Sequence, residues 1–118
     1  MIDDKPLLQI LSIAHRTSMR GEGVSLSQAL ADTDYRAMRL HFDVHDLRRL
    51  VDSNPELLDQ WARYSEDKRT ASGWYLKASD SVIGSLAETA QIRFGSVAEA
   101  VANYVIRELD FWSNIGAT

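Results

Sequence analysis

Hydrophobic positions recur at helical spacing up to Ser65 and then shift to short alternating runs, so the chain divides into a helical part followed by a β part. Leu7, Leu8, Ile10, Leu11, Ile13 and Ala14 share one broad face, and Gln9, Ser12, Arg16 and Arg20 follow the opposite stripe. This predicts an amphipathic helix from Pro6 to Arg20, started by Asp4 with Pro6 and stopped at Gly21-Glu22-Gly23. Ser25 or Ser27 caps a short helix over Leu26 to Ala31, Asp32-Thr33-Asp34 ends it, and a second short helix is expected from Tyr35 to about His41. Asp43-Val44-His45-Asp46 has the form of a capping box built from carboxylates and opens a helix from Val44 to Val51. Asn54-Pro55 opens another, with Leu57, Leu58, Trp61 and Tyr64 as its apolar stripe, running to about Ser65.

After a polar run to Gly73, three β-prone segments follow: Trp74-Tyr75-Leu76, Val82-Ile83 and Gln91-Ile92-Arg93-Phe94. Turns at Ala78 to Ser81 and Ala87 to Ala90 make them a meander, with Gly84 at a bulge or a close backbone approach. Ser96-Val97-Ala98-Glu99 is a capping box before a helix to about Trp112. On that helix Val101, Tyr104, Val105, Ile106 and Leu109 form the apolar side, and Glu99, Asn103, Arg107 and Asp110 the wet stripe. The expected fold is α+β and mainly helical, a single domain over 1–118. Short N-terminal helices (about 5–66) pack with a small three-stranded antiparallel meander (about 73–95) and a C-terminal helix (about 97–112).

With 118 residues, 45% of them hydrophobic and 25% charged, the chain can bury a core without covalent staples. The absence of cysteine removes disulfides, thiolate metal sites and thiol nucleophiles, and fits a reducing compartment. Met1 to Pro6 is acidic and lacks the basic and apolar regions of a signal peptide. No apolar run nears the roughly 18 residues a membrane span needs. A cytoplasmic protein without a membrane partner is the expectation. A net charge of −4 opposes nonspecific attraction to nucleic acid or anionic lipid except at a local basic patch.

Candidate chemistry is sparse. His41 and His45 have the spacing that brings two imidazoles to one metal, but Asp43 breaks the helix between them and no third ligand is evident. No nucleophile elbow and no phosphate-binding glycine motif occurs. No catalytic residue, metal or cofactor is therefore expected. Two surfaces remain. Asp52, Glu56, Asp59, Glu66 and Asp67 form a candidate negative surface, and Trp112 and Phe111, at the end of the last helix beside a frayed polar tail, offer an exposed aromatic anchor. Arg36, Arg39, Arg48 and Arg49 lie in a segment, 26–49, whose outline allows a helix-turn-helix, although flanking acids favour intramolecular ion pairs for them.

Gly73-Trp74-Tyr75-Leu76, Val82-Ile83-Gly84 and Ile92-Arg93-Phe94, leading into Val97 to Leu109, resemble the meander-plus-helix ending of some small bacterial toxin-immunity proteins of the contact-dependent inhibition type. The likeness covers the last third of the chain. It implies a small acidic protein that neutralises a cognate toxin, often a basic nuclease, by covering an essential surface, and it carries over no catalytic residue. The leading expectation is a noncatalytic protein-binding protein whose partner, in its sharpest form, is a basic toxin domain. The alternative is a small DNA-binding regulator, and an enzyme with an unrecognised site stands third. The oligomeric state is left open.

Overall fold

The computed structural model describes residues 4–18, 22–67, 72–86 and 91–115, and their elements follow the predicted order, mainly helical with a small antiparallel sheet before a last helix. The first amphipathic stretch differs from expectation: it is two helices, α1 (Asp4–Leu11) and α2 (Ile13–Thr17). Between them the Ser12 hydroxyl donates to the Leu8 carbonyl at 2.7 Å, a back-bond that bends helices. The expected last turn through Arg20 lies outside the described residues. Of the two candidate caps, Ser25 starts α3 (Leu26–Thr33), its Oγ accepting from the Gln28 N–H at 3.1 Å. Asp34 adopts the left-handed conformation (φ 52°), which ends α3 at once. Helix α4 (Tyr35–Met38) then runs into a 3-10 turn at Arg39–His41.

The capping box of α5 (Val44–Ser53) is complete: Asp43 Oδ1 accepts from the N–H groups of His45 and Asp46, and Asp46 Oδ2 accepts from the Asp43 N–H at 2.9 Å. Helix α6 (Glu56–Asp67) follows Asn54-Pro55, yet Asn54 serves the helix behind it, its Nδ2 donating to the Leu50 carbonyl at 2.8 Å.

Strands β1 (Trp74–Lys77), β2 (Val82–Ser85) and β3 (Gln91–Arg93) pair antiparallel in chain order, with Leu76, Ile83 and Ile92 in register. The first turn is a 3-10 turn closed by left-handed Ser81, and the second lies outside the described residues. Gly84 makes no bulge. It pairs in register with Tyr75 and Gln91, and a Cβ there would stand 2.4 Å from Tyr75 Cζ. The ring crosses this gap to accept a hydrogen bond from Gln91 Nε2 at 2.6 Å.

The outer edge of β1 is closed by side chains. The Trp74 N–H donates to Glu108 Oε1 at 2.9 Å, Tyr104 Oη donates to the Trp74 carbonyl at 3.2 Å, and the Leu76 N–H donates to Ser65 Oγ at 2.8 Å. Tyr64 Oη adds a bond to Glu108 Oε2 at 2.9 Å, so this carboxylate, 0% exposed, ties α6, β1 and the last helix together.

That last helix, α7 (Val97–Trp112), is the hub of the core. Its Val101, Tyr104, Val105 and Leu109 pack with Leu7, Ile10, Leu47, Val51, Trp61 and Ile83. Its capping box is half formed among the described residues: Ser96 Oγ accepts from the Glu99 N–H, but the Glu99 carboxylate faces Arg48 at 3.4 Å. Trp61 and Tyr64 both meet Tyr104, and Tyr64 reaches on to Glu108, so α6 and α7 advance in the same sense. The chain from α4 to α5 runs the other way along α7, Arg36, Arg39 and Arg48 meeting Ser113, Asp110 and Glu99 in turn. Among the described residues no helix is long and apolar enough to cross a membrane.

Candidate protein-binding surface

The last core residue of α7 is Leu109, and the helix continues for three residues past it. Its end is locked. Asn114 sits in the left-handed conformation (φ 58°), its N–H donates to the Phe111 carbonyl at 3.2 Å, and the Ile115 N–H donates to the Asp110 carbonyl at 2.9 Å. This double closure satisfies carbonyls that a helix end otherwise leaves open, so the helix terminates in a fixed geometry where the sequence suggested fraying.

Side chains from α4 and from the 3-10 turn after it brace the same end. Tyr35 Oη donates to Asp110 Oδ1 at 2.7 Å, Arg39 Nε donates to the same carboxylate at 3.0 Å, and Arg36 donates to the Ser113 carbonyl at 2.6 Å. Asp110, expected on the wet stripe, is thus a partly buried acceptor. Burial first, and then the Asp110 carboxylate, push the Tyr35 phenol well above its ordinary range, so it stays a neutral donor.

On this fixed end Phe111 and Trp112 remain 44% and 36% exposed, their rings edge to face with centroids 5.0 Å apart. Trp112 forms a ridge between two grooves. One is lined by Trp74, Arg107, Phe111 and Ile115, with the Arg107 guanidinium 5.0 Å from the Trp74 ring centre; the other is lined by Leu30, Tyr35 and Arg36. Leu40, 87% exposed, is carried by the 3-10 turn that Arg39 fastens to Asp110. Exposed aromatics on a rigid support are the side chains that anchor protein interfaces, because little conformational entropy is left to lose on binding.

The candidate acids are all exposed, but they do not converge on Trp112 as one site. Asp52 lies on α5 and faces Arg48 at 3.9 Å. Glu56 and Asp59 occupy the first turn of α6, where acids complement the positive end of the helix dipole. Glu66 and Asp67 occupy the last turn, where the dipole opposes them and no basic residue of the turn offsets them. Glu66 and Asp67 thus form an exposed negative pair at the C-terminal end of α6.

The four arginines of the nucleic-acid alternative are engaged within the fold. Besides the contacts of Arg36 and Arg39, Arg48 meets Glu99 and Asp52, and Arg49 donates to Asp4 at 2.7 Å. The Arg49 bond holds the Asp4 carboxyl below its ordinary range. Helix α4, at four residues, supplies about one turn, too short to lay a row of side chains along a groove. His41 and His45 stand on separate elements, and no group of three or more potential metal ligands occurs among the described residues. The Glu108 seam and the helix-end lock escaped sequence reasoning. The signals for them were Glu108 falling seven residues after Val101 on the buried stripe, and Asn114 followed by Ile115 just past the helix. Comparison with known proteins finds no matching family, no matching curated protein and no matching solved structure.

Proposed function

We propose that this chain is a noncatalytic protein-binding protein that docks its partner on the aromatic end of α7, with neutralisation of a basic bacterial toxin domain as the sharpest form of that reading. The observation that carries it is the pair Phe111 and Trp112, exposed on a helix end that is closed by Asn114 and braced by Tyr35, Arg36 and Arg39. Folding alone gains nothing from leaving two aromatic rings in water, and a partner that covers them does. Glu66 and Asp67 add a negative rim suited to steering a basic partner, an effect that acts on association rate more than on affinity.

The test is affinity capture of the tagged protein from its own host, washed at moderate salt and read by mass spectrometry and by absorbance for nucleic acid. A stoichiometric basic protein that is lost when Trp112 is replaced by Ala supports the proposal. Retention of duplex DNA that falls steeply with salt, or a captured protein indifferent to Trp112, contradicts it.

A further inference from the structure

A cleft of about 270 Å³ lies between α2 and α6. Its apolar wall is Ala14 with the Tyr64 ring, whose hydroxyl is turned inward to Glu108. Its polar lining includes His15, Gln60, Arg63 and Asp67. The arginines of α2 to α5 are engaged: Arg16, Arg36, Arg39, Arg48 and Arg49 all have a partner. Arg63 differs. Among the described residues neither Arg63 nor Asp67 makes an ion pair or a side-chain hydrogen bond, although they stand four apart on one helix. Their order, base before acid, is the poorer one for such a pair.

We infer that this cleft is a subsite for a small zwitterion of the α-amino-acid class, its carboxylate on Arg63 and its ammonium on Asp67. A plain anion meets the Asp67 carboxylate, and a plain cation meets the Arg63 guanidinium. A molecule carrying both charges complements both, and its side chain covers Ala14 and Tyr64. The Gln60 amide and the His15 imidazole add polar groups to the lining that can hydrogen-bond the occupant. The volume lies just under the roughly 300 Å³ at which small-molecule pockets begin, room enough for one amino acid. Asp67 is shared with the negative rim proposed for a protein partner, whereas Arg63 and the rest of the cleft are not, and small-molecule binding is read without that partner.

The experiment is amide NMR of the full chain titrated with each standard L-amino acid. The amino acid giving the strongest shifts is then compared with its deaminated acid, with its decarboxylated amine, and against the Arg63→Gln and Asp67→Asn variants. Saturable shifts confined to Ile13 to Ser18 and Gln60 to Asp67 are expected, with both half-molecules and both variants at least about tenfold weaker, as the loss of one charged hydrogen bond dictates. Both replaced side chains are exposed, and unchanged shifts away from the cleft confirm that the variants fold. The inference is overturned if no amino acid saturates these amides, if the deaminated acid binds as tightly as its parent, or if either variant binds unchanged.

Discussion

Replacing Glu108 with Ala removes the acceptor for two donors at once, Tyr64 Oη and the Trp74 N–H. Glu108 is 0% exposed and both bonds are partly buried, so water is a poor replacement for its two fixed oxygens. Each orphaned, partly buried donor costs about 1–3 kcal/mol, and the one lost methylene, at about 0.8 kcal/mol, adds to the total. A loss of about 4 kcal/mol is expected, a large share of the roughly 5–15 kcal/mol that holds a domain folded. Glu108→Gln keeps the shape and one acceptor oxygen but turns an amide N–H toward the second donor, for a loss of about 1–3 kcal/mol. Tyr64→Phe in the Glu108→Ala background deletes one orphan, so the double variant loses about 1–2 kcal/mol less than the sum of the singles. Urea unfolding near neutral pH, followed by tryptophan fluorescence and far-ultraviolet circular dichroism, reads all four corners of this cycle. A loss under about 1 kcal/mol for Glu108→Ala, or additivity within about 0.5 kcal/mol, refutes the seam as a support of the fold. A gain in stability does so more sharply, since it marks a buried acid kept at a cost to folding for some other task.

Gly84→Ala places a methyl 2.4 Å from the Tyr75 ring, so the ring must lift and surrender its bond from Gln91. Chemical denaturation should show a loss of about 1–3 kcal/mol, smaller when Tyr75 is also replaced by Ala; equal losses in both backgrounds refute the contact. Burial, reinforced by Asp110 or Glu108, raises the phenols of Tyr35, Tyr64 and Tyr104 above the ordinary 10.0, so the fold keeps them neutral while the unfolded chain ionises. Their contribution is therefore complete below pH 10.0 and declines above it. The decline is about 1.4 kcal/mol per pH unit for each ring, and tyrosinate absorbance should rise together with unfolding. Ionisation of all three well before unfolding contradicts their burial. Reversing charge at Glu66 and Asp67 to Lys should slow association with a basic partner and flatten its salt dependence, with little effect on the dissociation rate in a stopped-flow experiment. An unchanged association rate removes these acids from the interface.

Local signals were legible in the sequence. The Asp43–Asp46 box, the Ser25 and Ser96 caps, the stripe of α7 and the order of the meander all depend on residues within a few positions of one another. What escaped depends on partners distant in sequence or on one atom. Ser12 looks like any polar position until its hydroxyl is seen on the Leu8 carbonyl. Intramolecular pairing was the favoured reading of Arg36 and Arg39, but their partners were not legible, because Ser113 and Asp110 lie 77 and 71 residues away. Glu108 occupies a buried position of the helical period, a signal that an acid is buried there, but its partners Tyr64 and Trp74 are brought to it only by the fold. The aromatic pair at the helix end was visible as a candidate anchor; the Asn114 closure and the α4 brace that hold it rigid are tertiary.

A partner docked on the aromatic end of α7 buries Trp112. The most direct test of this docking is the equilibrium affinity of the captured protein partner for the parent chain and for Trp112→Ala, measured by calorimetry at one fixed salt concentration. A loss of about 2 kcal/mol or more, roughly thirtyfold in Kd, is expected, with the variant's own unfolding midpoint nearly unchanged. An affinity within about twofold of the parent contradicts docking at this end.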